Sequence, residues 1–194
     1  MEVYNLIAEH FDETRYSLWN GVKLFLNNLH SNSYILDIGC GNGKYLSVRK
    51  DDCYIYACDP CKKFVDIAKM KHPHAEIIIA NGLSLPFLDN TFDAIISIAV
   101  LHHIYSENDR LQFIKEIRRV LKNGGKALIT VWSTTSVKNK WINKSNNDYE
   151  VPWHMKNGDI HYRYYHLFDK DEVVKLSGVI PTFEKDNWFF IINK

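Results

Sequence analysis

One stretch limits the possible folds more than any other: Ser33-Tyr34-Ile35-Leu36-Asp37-Ile38 running into Gly39-Cys40-Gly41-Asn42-Gly43-Lys44. A short apolar, β-favouring run stops at the first of three glycines spaced two apart. Glycines so placed allow a tight turn and let a ligand lie against the backbone. The G-x-G-x-G spacing differs from the G-x-G-x-x-G dinucleotide fingerprint, and Lys44-Tyr45 lacks the Lys-Ser/Thr pair of a phosphate loop. Asp37, just before the turn, would repel a pyrophosphate and suits a cationic or amine-bearing ligand. The turn is expected to lead into a helix.

From there strand and helix signals alternate. The runs at 54–58, 76–80 and 92–98 predict strands, and 61–71 and 107–122 predict helices, the second stopped by Asn123-Gly124-Gly125. A fifth strand is predicted at 126–132, and two helices, 2–12 and 17–29, precede the glycine turn. Polar residues dominate 133–150 and predict a loop. A helix at 169–177 and strands at 179–184 and 187–192 follow, with Pro181 bending or edging the first of these strands. Continuously apolar strands alternating with helices predict an α/β, Rossmann-like fold. Its mixed, mostly parallel sheet would carry helices on both faces and an antiparallel C-terminal strand pair. Ligands of such sheets sit at the carboxyl ends of the strands.

Length and composition narrow the function classes. At 194 residues the chain suits a single domain, with residues 1–30 over the ligand site and 133–168 as an insertion within the domain. The 24 Lys+Arg nearly cancel the 23 Asp+Glu, which excludes a uniformly basic nucleic-acid coat but not a local patch. No apolar run approaches a membrane span, and the N-terminus lacks the pattern of a signal peptide. Cys40, Cys53, Cys58 and Cys61 fit a reducing compartment, so a soluble, cytoplasmic protein without a membrane partner is expected. Cys58-Asp59-Pro60-Cys61 has the spacing of a metal or redox pair, but no second pair exists, and no metal site is assigned.

Two further strand ends complete a candidate site. Asp59 ends the second strand, where a carboxylate can accept both hydroxyls of a ribose, and Asn81-Gly82 ends the third, where an adenine edge would lie. With the glycine turn, these resemble the layout of class I S-adenosylmethionine-dependent methyltransferases. The resemblance implies S-adenosylmethionine as cofactor, its methionine portion held by Asp37 and by Gly39, Gly41, Asn42 and Gly43. It implies Asp59 on the ribose, Asn81 and the Leu83 backbone amide on the adenine, and Ile98 packed on the base. An acid is common in that superfamily where Asn81 stands; Asn still accepts a bond from an adenine amino group.

The segment after strand four reads Ser97-Ile98-Ala99-Val100-Leu101-His102-His103. It holds neither the Asn/Asp-Pro-Pro-aromatic motif of amine methylation nor a Pro-Cys pair for attack on a pyrimidine. The two histidines stand there instead. Arg15-Tyr16, Trp132, Arg163-Tyr164-Tyr165-His166 and Asn187-Trp188 are further candidates, because arginines among aromatics can stack a base and clamp an anion.

With residues 3–11 and Thr14-Arg15-Tyr16, 37–45, 97–103, Val151-Pro152-Trp153, 162–168 and 183–188, the chain resembles the eukaryotic tRNA wobble-uridine carboxymethyl methyltransferases nearly end to end. That family methylates the carboxylate of 5-carboxymethyluridine in tRNA anticodons to the methyl ester. The resemblance implies Arg15, Arg163 and His102 at the carboxylate. It leaves Tyr16, His103, Trp132, Tyr164, His166, Asn187 and Trp188 to hold the uridine. The connection between Trp153 and Tyr162 is short where related enzymes can carry a long lysine-rich insertion.

The partners expected are tRNA and a protein. Over 110–122 Arg110, Lys115, Arg118, Arg119 and Lys122 stand against the single acid Glu116, and Lys138, Lys140 and Lys144 follow in the predicted loop. Ile77-Ile78-Ile79 would make an apolar sheet edge. The resemblance implies a small zinc-binding activator subunit that adds a strand there, along Glu76 to Ala80, giving a heterodimer. Two other readings fit the core motifs: a small-molecule methyltransferase, and a non-catalytic cofactor-binding interaction protein.

Overall fold

The glycine turn sits where the expected alternation places it, between two parallel strands. The structure, a computed structural model, describes residues 2–14 and 17–194. In chain order the helices are α1 (Glu2–Thr14), α2 (Asn20–Asn27), α3 (Lys62–Lys71), α4 (Glu107–Val120) and α5 (Lys170–Ser177). The strands are β1 (Tyr34–Ile38), β2 (Tyr54–Asp59), β3 (Glu76–Ile79), β4 (Phe92–Ile98), β5 (Leu121–Trp132), β6 (Ile142–Ser145), β7 (Asp148–His154), β8 (Ile160–His166), β9 (Thr182–Glu184) and β10 (Asn187–Asn193).

Among the described residues one sheet has seven strands in the order β3-β2-β1-β4-β5-β10-β9, and a second has the order β6-β7-β8. In the large sheet β1 to β5 run parallel, while β10 lies antiparallel to both β5 and β9. This is the mixed sheet the apolar runs predict.

Alternation along the central strands builds two cores. Leu36, Ile38 and Ile95 face one side, where Phe113 and Ile117 of α4 meet them. Ile35, Ala94 and Ile96 face the other, against Val22 and Leu26 of α2 and Val65 and Ala68 of α3. Each large apolar side chain so buried contributes roughly 1.5–3 kcal/mol of transfer free energy. Helix ends are capped as their sequences suggest. Ser106 accepts from the Asp109 amide, Asp169 accepts from the Glu172 amide at 2.8 Å, and Gly178 takes φ 75° just past α5.

Three local expectations are corrected. The glycine turn leads into a chain of turns, not an α-helix: Leu46 N–H bonds to Gly43 O and Val48 N–H to Tyr45 O, closing over three residues. Helix α4 ends at Val120, short of the glycines, because Leu121 already pairs with Phe92 at the start of a longer β5. The polar stretch 133–150 holds β6 and the start of β7, joined at Asn146 and Asn147, with φ 35° and 69°. Paired positive φ values mark a tight hairpin, and asparagine tolerates them better than most residues. All four residues of β6 are exposed, so its polar composition hides the strand. Among the described residues no helix is long and apolar enough to cross a membrane.

Candidate active site

A cavity of about 480 Å³ lies over the carboxyl ends of β1, β2 and β4, and α1 covers it with Tyr4, Phe11 and Thr14. The glycine turn forms one wall. Gly39, Gly41 and Gly43 take φ values of 74°, 53° and 80°, a region costly for other residues. A Cβ added at Gly39 would lie 2.5 Å from Val100 Cγ2, so the loop and the segment after β4 touch backbone to side chain.

Two carboxylates point into this space. Asp37 is buried, and burial followed by the nearby Asp59 charge pushes its carboxyl up to about 7. Burial pushes Asp59 up to about 6, against the pull of two backbone bonds. Those bonds aim it: Asp59 Oδ2 accepts from Gly41 N–H at 2.9 Å and Oδ1 from Cys61 N–H at 2.8 Å. Among the described residues Lys44 is the cation that acts on Asp37, and a buried pair of acids so weakly compensated is a site for a cationic ligand. The amino group and sulfonium of S-adenosylmethionine fit that demand, the glycine backbone fits close approach, and the cavity has the volume for it.

Ile98, Gly39, Gly41 and Asn42 line the cavity with the two acids, and Gly43 completes the turn. Asn81 and Leu83 are not brought into it: Asn81 Oδ1 accepts from the Leu83 amide at 3.0 Å, so the two groups expected on adenine bond to each other.

Ala99, at φ 60°, turns the chain sharply after β4, its N–H held by Thr130 Oγ1 at 3.0 Å. The turn drops His102 and His103 onto the cavity wall. His102 is fully buried, neither ring nitrogen has a hydrogen-bond partner among the described residues, and burial holds its pKa well below the usual histidine range. It is therefore neutral and cannot serve as the cationic clamp. His103 is held to about 3 by burial. The Tyr4 hydroxyl lies 2.9 Å from its Nδ1 and 3.3 Å from its Nε2, and the Tyr164 carbonyl, 3.2 Å from Nδ1, accepts when that nitrogen carries the proton.

Beyond the histidines the cavity meets a second of about 290 Å³, which shares Trp132, Arg163 and Tyr165 with it. Trp141, Trp153, His10 and Lys138 line its outer part. Arg163 is buried between the two. Its guanidinium carbon stands 4.8 Å from the Trp153 ring centre and 5.0 Å from that of Tyr165, and its Nε has no hydrogen-bond partner among the described residues.

The alternation of β8 divides the remaining candidates. Arg163 and Tyr165 face the cavities; Tyr164 and His166 face the opposite way, a correction to their expected place at the uridine. The Tyr164 hydroxyl donates to Asp148 at 2.6 Å, and His166 bridges Asp148 (2.6 Å) and Glu172 (2.8 Å). Trp188 is also corrected to a packing role: its Nε1 donates to the Phe168 carbonyl at 2.9 Å and its ring joins the core beside Phe183. Asn187 is buried beside Trp132 in the strand register, outside the cavity lining, and donates to Lys185 O. Arg15 and Tyr16 lie outside the described residues.

Trp141 was not singled out from the sequence; His10 and Trp153 entered only within the family-like stretches, Tyr165 only within Arg163–His166, and Lys138 as a tRNA contact. Period-two reading of 160–166 from Arg163 would have selected Tyr165 over its neighbours. Trp153 needs tertiary structure, since its partner, His10 Nδ1 at 3.1 Å, is on α1.

A family model described as a methyltransferase domain matches residues 36–129. The tRNA (carboxymethyluridine(34)-5-O)-methyltransferase of Schizosaccharomyces pombe is 38% identical over 220 aligned residues, covering 100% of this chain and 95% of that protein. The enzyme of that name from Arabidopsis thaliana is 45% identical over 143 residues, 72% of this chain but 35% of its own length. A Methanosarcina mazei S-adenosylmethionine-dependent methyltransferase superposes with a TM-score of 0.73 at 21% identity, over 92% of this chain and 100% of that one. A chain from the complex between the Haloferax volcanii Trm112 methyltransferase activator and a methyltransferase superposes at 0.58 and 19% identity, over 68% of this chain and 62% of that one. The glycine turn between parallel strands, the two buried acids and a likeness that runs the whole length of the fission-yeast protein have one explanation: this chain belongs to the tRNA (carboxymethyluridine(34)-5-O)-methyltransferase family, within the class I S-adenosylmethionine-dependent methyltransferases.

Proposed function

We propose that this chain methylates the carboxylate of 5-carboxymethyluridine at the tRNA wobble position, giving the methyl ester. The observation that carries the reading is the junction of the two cavities at Arg163, with a site for a cationic cofactor on one side and a tryptophan-lined opening on the other. S-adenosylmethionine, when bound, supplies an electrophilic methyl group on a sulfonium. Asp37 and Asp59 hold the cofactor and Trp132 and Trp153 flank the uracil. The substrate carboxylate is ionised at neutral pH, so no general base is required. Arg163 aims it, and His102, neutral and unpartnered, offers a dipolar contact that leaves the nucleophile reactive. Orientation of this kind supplies several kcal/mol of the barrier reduction.

The partner belongs to the same proposal. Strand β3 is at an edge of the large sheet, with Ile79 55% exposed, enough to leave an apolar, unpaired strand edge in solvent. A small zinc-binding activator adds a strand there.

The test is methyl transfer from labelled cofactor to tRNA from cells lacking the modification, with and without the activator, followed by nucleoside analysis. A base-labile methyl ester on the wobble uridine is the expected product. No transfer to tRNA by a soluble complex that binds cofactor overturns the reading in favour of a small-molecule or non-catalytic role.

A further inference from the structure

The walls where the two cavities meet come from different sheets. His102 and His103 follow β4 of the large sheet, which also carries Asp37 and Asp59, while Trp153 and Arg163 stand on β7 and β8 of the small one. The small sheet has little core of its own, built on Val151, Tyr165 and Leu167. Among the described residues an isolated parallel bridge, Ser133 to Phe168, ties the chain just past β8 to the chain just past β5. Methyl transfer needs the two sheets in a fixed relation, because a misplacement of about 1 Å at the reacting atoms costs roughly a hundredfold in rate.

On the face of β8 away from the cavities, a chain of polar groups crosses that joint. The Tyr164 hydroxyl and His166 Nδ1 each meet Asp148 Oδ1 at 2.6 Å, and His166 Nε2 meets Glu172 Oε1 at 2.8 Å. Arg110 Nη2 stands 3.6 Å from the same Glu172 oxygen, and its Nη1 donates to the carbonyls of Ile104 at 3.1 Å and Tyr105 at 2.9 Å. Asp148 and His166 belong to the small sheet, Glu172 to α5 and Arg110 to α4. Both helices are packed on the large sheet through Phe113, Ile117 and Val173. Ile104 and Tyr105 directly follow His102-His103. Acidic and basic groups alternate along the chain, so the buried His166 and Arg110 each face a partner of the opposite kind. None of these groups lines either cavity. A carboxylate nucleophile gives up no proton, so the chain has no relay to perform.

We infer that Asp148, His166, Glu172 and Arg110 are positioning residues for methyl transfer, locking the small sheet to α4 and α5. This rests on the reading proposed above. Two carboxylates on opposite sides of one imidazole fix both its place and its plane. His166 is three residues from Arg163 on the same strand, so a ring displaced at 166 tilts β8 at 163. At the other end, Arg110 fixes the two carbonyls that follow the histidine pair. Glu172 is the middle link, and its loss frees the sheet from the helices. The glycine turn and the two buried acids stand outside the chain of contacts, so alignment suffers and cofactor binding does not.

The experiment compares unsubstituted enzyme, Glu172→Ala and Glu172→Gln, each as the full chain in the soluble complex that methylates tRNA. The Glu172 side chain is 26% exposed, so alanine opens no sealed cavity, and glutamine keeps an oxygen acceptor for His166. The readouts are kcat, KM for tRNA bearing the acid, and affinity for S-adenosylhomocysteine. Glu172→Ala is expected to lower kcat about tenfold or more, with KM and cofactor-product affinity within about threefold of the unsubstituted values. Glu172→Gln should return kcat to within about threefold. Should Glu172→Ala fail to fold, Arg110→Lys, which keeps the charge and loses the fork to the two carbonyls, carries the same expectation. An unchanged kcat in Glu172→Ala or in Arg110→Lys overturns the inference and leaves the function standing. So does a loss of kcat matched by an equal loss of S-adenosylhomocysteine affinity, the mark of general damage to the fold. A Glu172→Gln enzyme as slow as Glu172→Ala also overturns it. Absence of transfer by the unsubstituted complex overturns the function, and the inference with it.

Discussion

Asp37 shows how one residue couples burial to ligand choice. Its carboxyl sits at about 7 because water is excluded and Asp59 is close. A cationic ligand needs the ionised form, so binding S-adenosylmethionine releases a proton at neutral pH. The direction follows: cofactor affinity should fall as pH drops below about 7, approaching tenfold per pH unit for a single coupled group. The stability of the ligand-free chain should move the other way. The folded state holds a proton on Asp37 that the unfolded state has lost, so stability declines as pH rises from about 4 to about 7. Calorimetric titrations in buffers of different ionisation enthalpy measure the released proton, and Asp37→Asn should abolish the release while weakening binding about 10–100-fold. A pH-independent affinity between 5 and 8 would refute this account. At this scale the acids and glycines were legible in the sequence, since chemistry at a strand end depends on the local chain. The partners of His166 and Trp188 were not legible, because Asp148, Glu172 and Phe168 come from other elements.

Elements with strong periodicity were easiest to read, and the small sheet was hardest. Its β6–β7 hairpin turns on Asn146 and Asn147, both in the left-handed region, and Leu167 N–H closes onto Asn147 O at 2.8 Å. A β-branched residue at 147 should cost about 1–2 kcal/mol, the usual penalty for that conformation. Asn147→Val is therefore expected to lower the melting temperature by roughly 3–6 °C in a chain of this size, while Asn147→Gly stays within about a degree. Equal melting temperatures for the two variants would show that the turn is built differently. The hairpin matters because it carries Val151 and Trp153 to the outer cavity and braces β8 behind Arg163. Every residue of β6 is exposed, so it shows no apolar alternation and polarity alone reads it as loop; the Asn-Asn pair was the local signal that marked the turn. The helix expected after the glycine turn failed for the opposite reason, since Tyr45 and Leu46 supply apolar spacing to the core without a continuous helical backbone.

Across the whole molecule the distribution of charge decides more than its sum. The sequence crowds cations onto α4, but the fold directs its last turn to the end of the sheet away from the cavities. Lys122 pairs there with Asp93 at the start of β4. Arg118 donates to Ser177 O, and Arg119 donates to Glu116, Asp89 and the carbonyls of Leu85 and Phe87. These contacts tie Arg118, Arg119 and Lys122 into the fold and leave Lys115 exposed, so most of the cations crowded in this region serve the structure. Spacing along a helix shows which charges share a side and cannot show which end of the domain that side meets. Lys138, by contrast, lies 5.9 Å from the Trp132 ring centre at the outer cavity, and Lys140 is exposed just beyond it. Two substitutions separate the roles. Arg119→Ala leaves the mostly buried Glu116 without its cation and should cost roughly 2–4 kcal/mol of stability, while the folded protein keeps its affinity for tRNA. Lys138→Glu with Lys140→Glu should leave the melting temperature nearly unchanged and make the dependence of log affinity on log salt shallower by roughly 1–2. If Arg119→Ala weakened tRNA binding at temperatures where it remains folded, or if the lysine pair left the salt slope unchanged, the RNA would have to approach from the other end of the sheet. The position of the two cavities makes that route inconsistent with the wobble base reaching Arg163, because the seven-stranded sheet and both of its cores stand between.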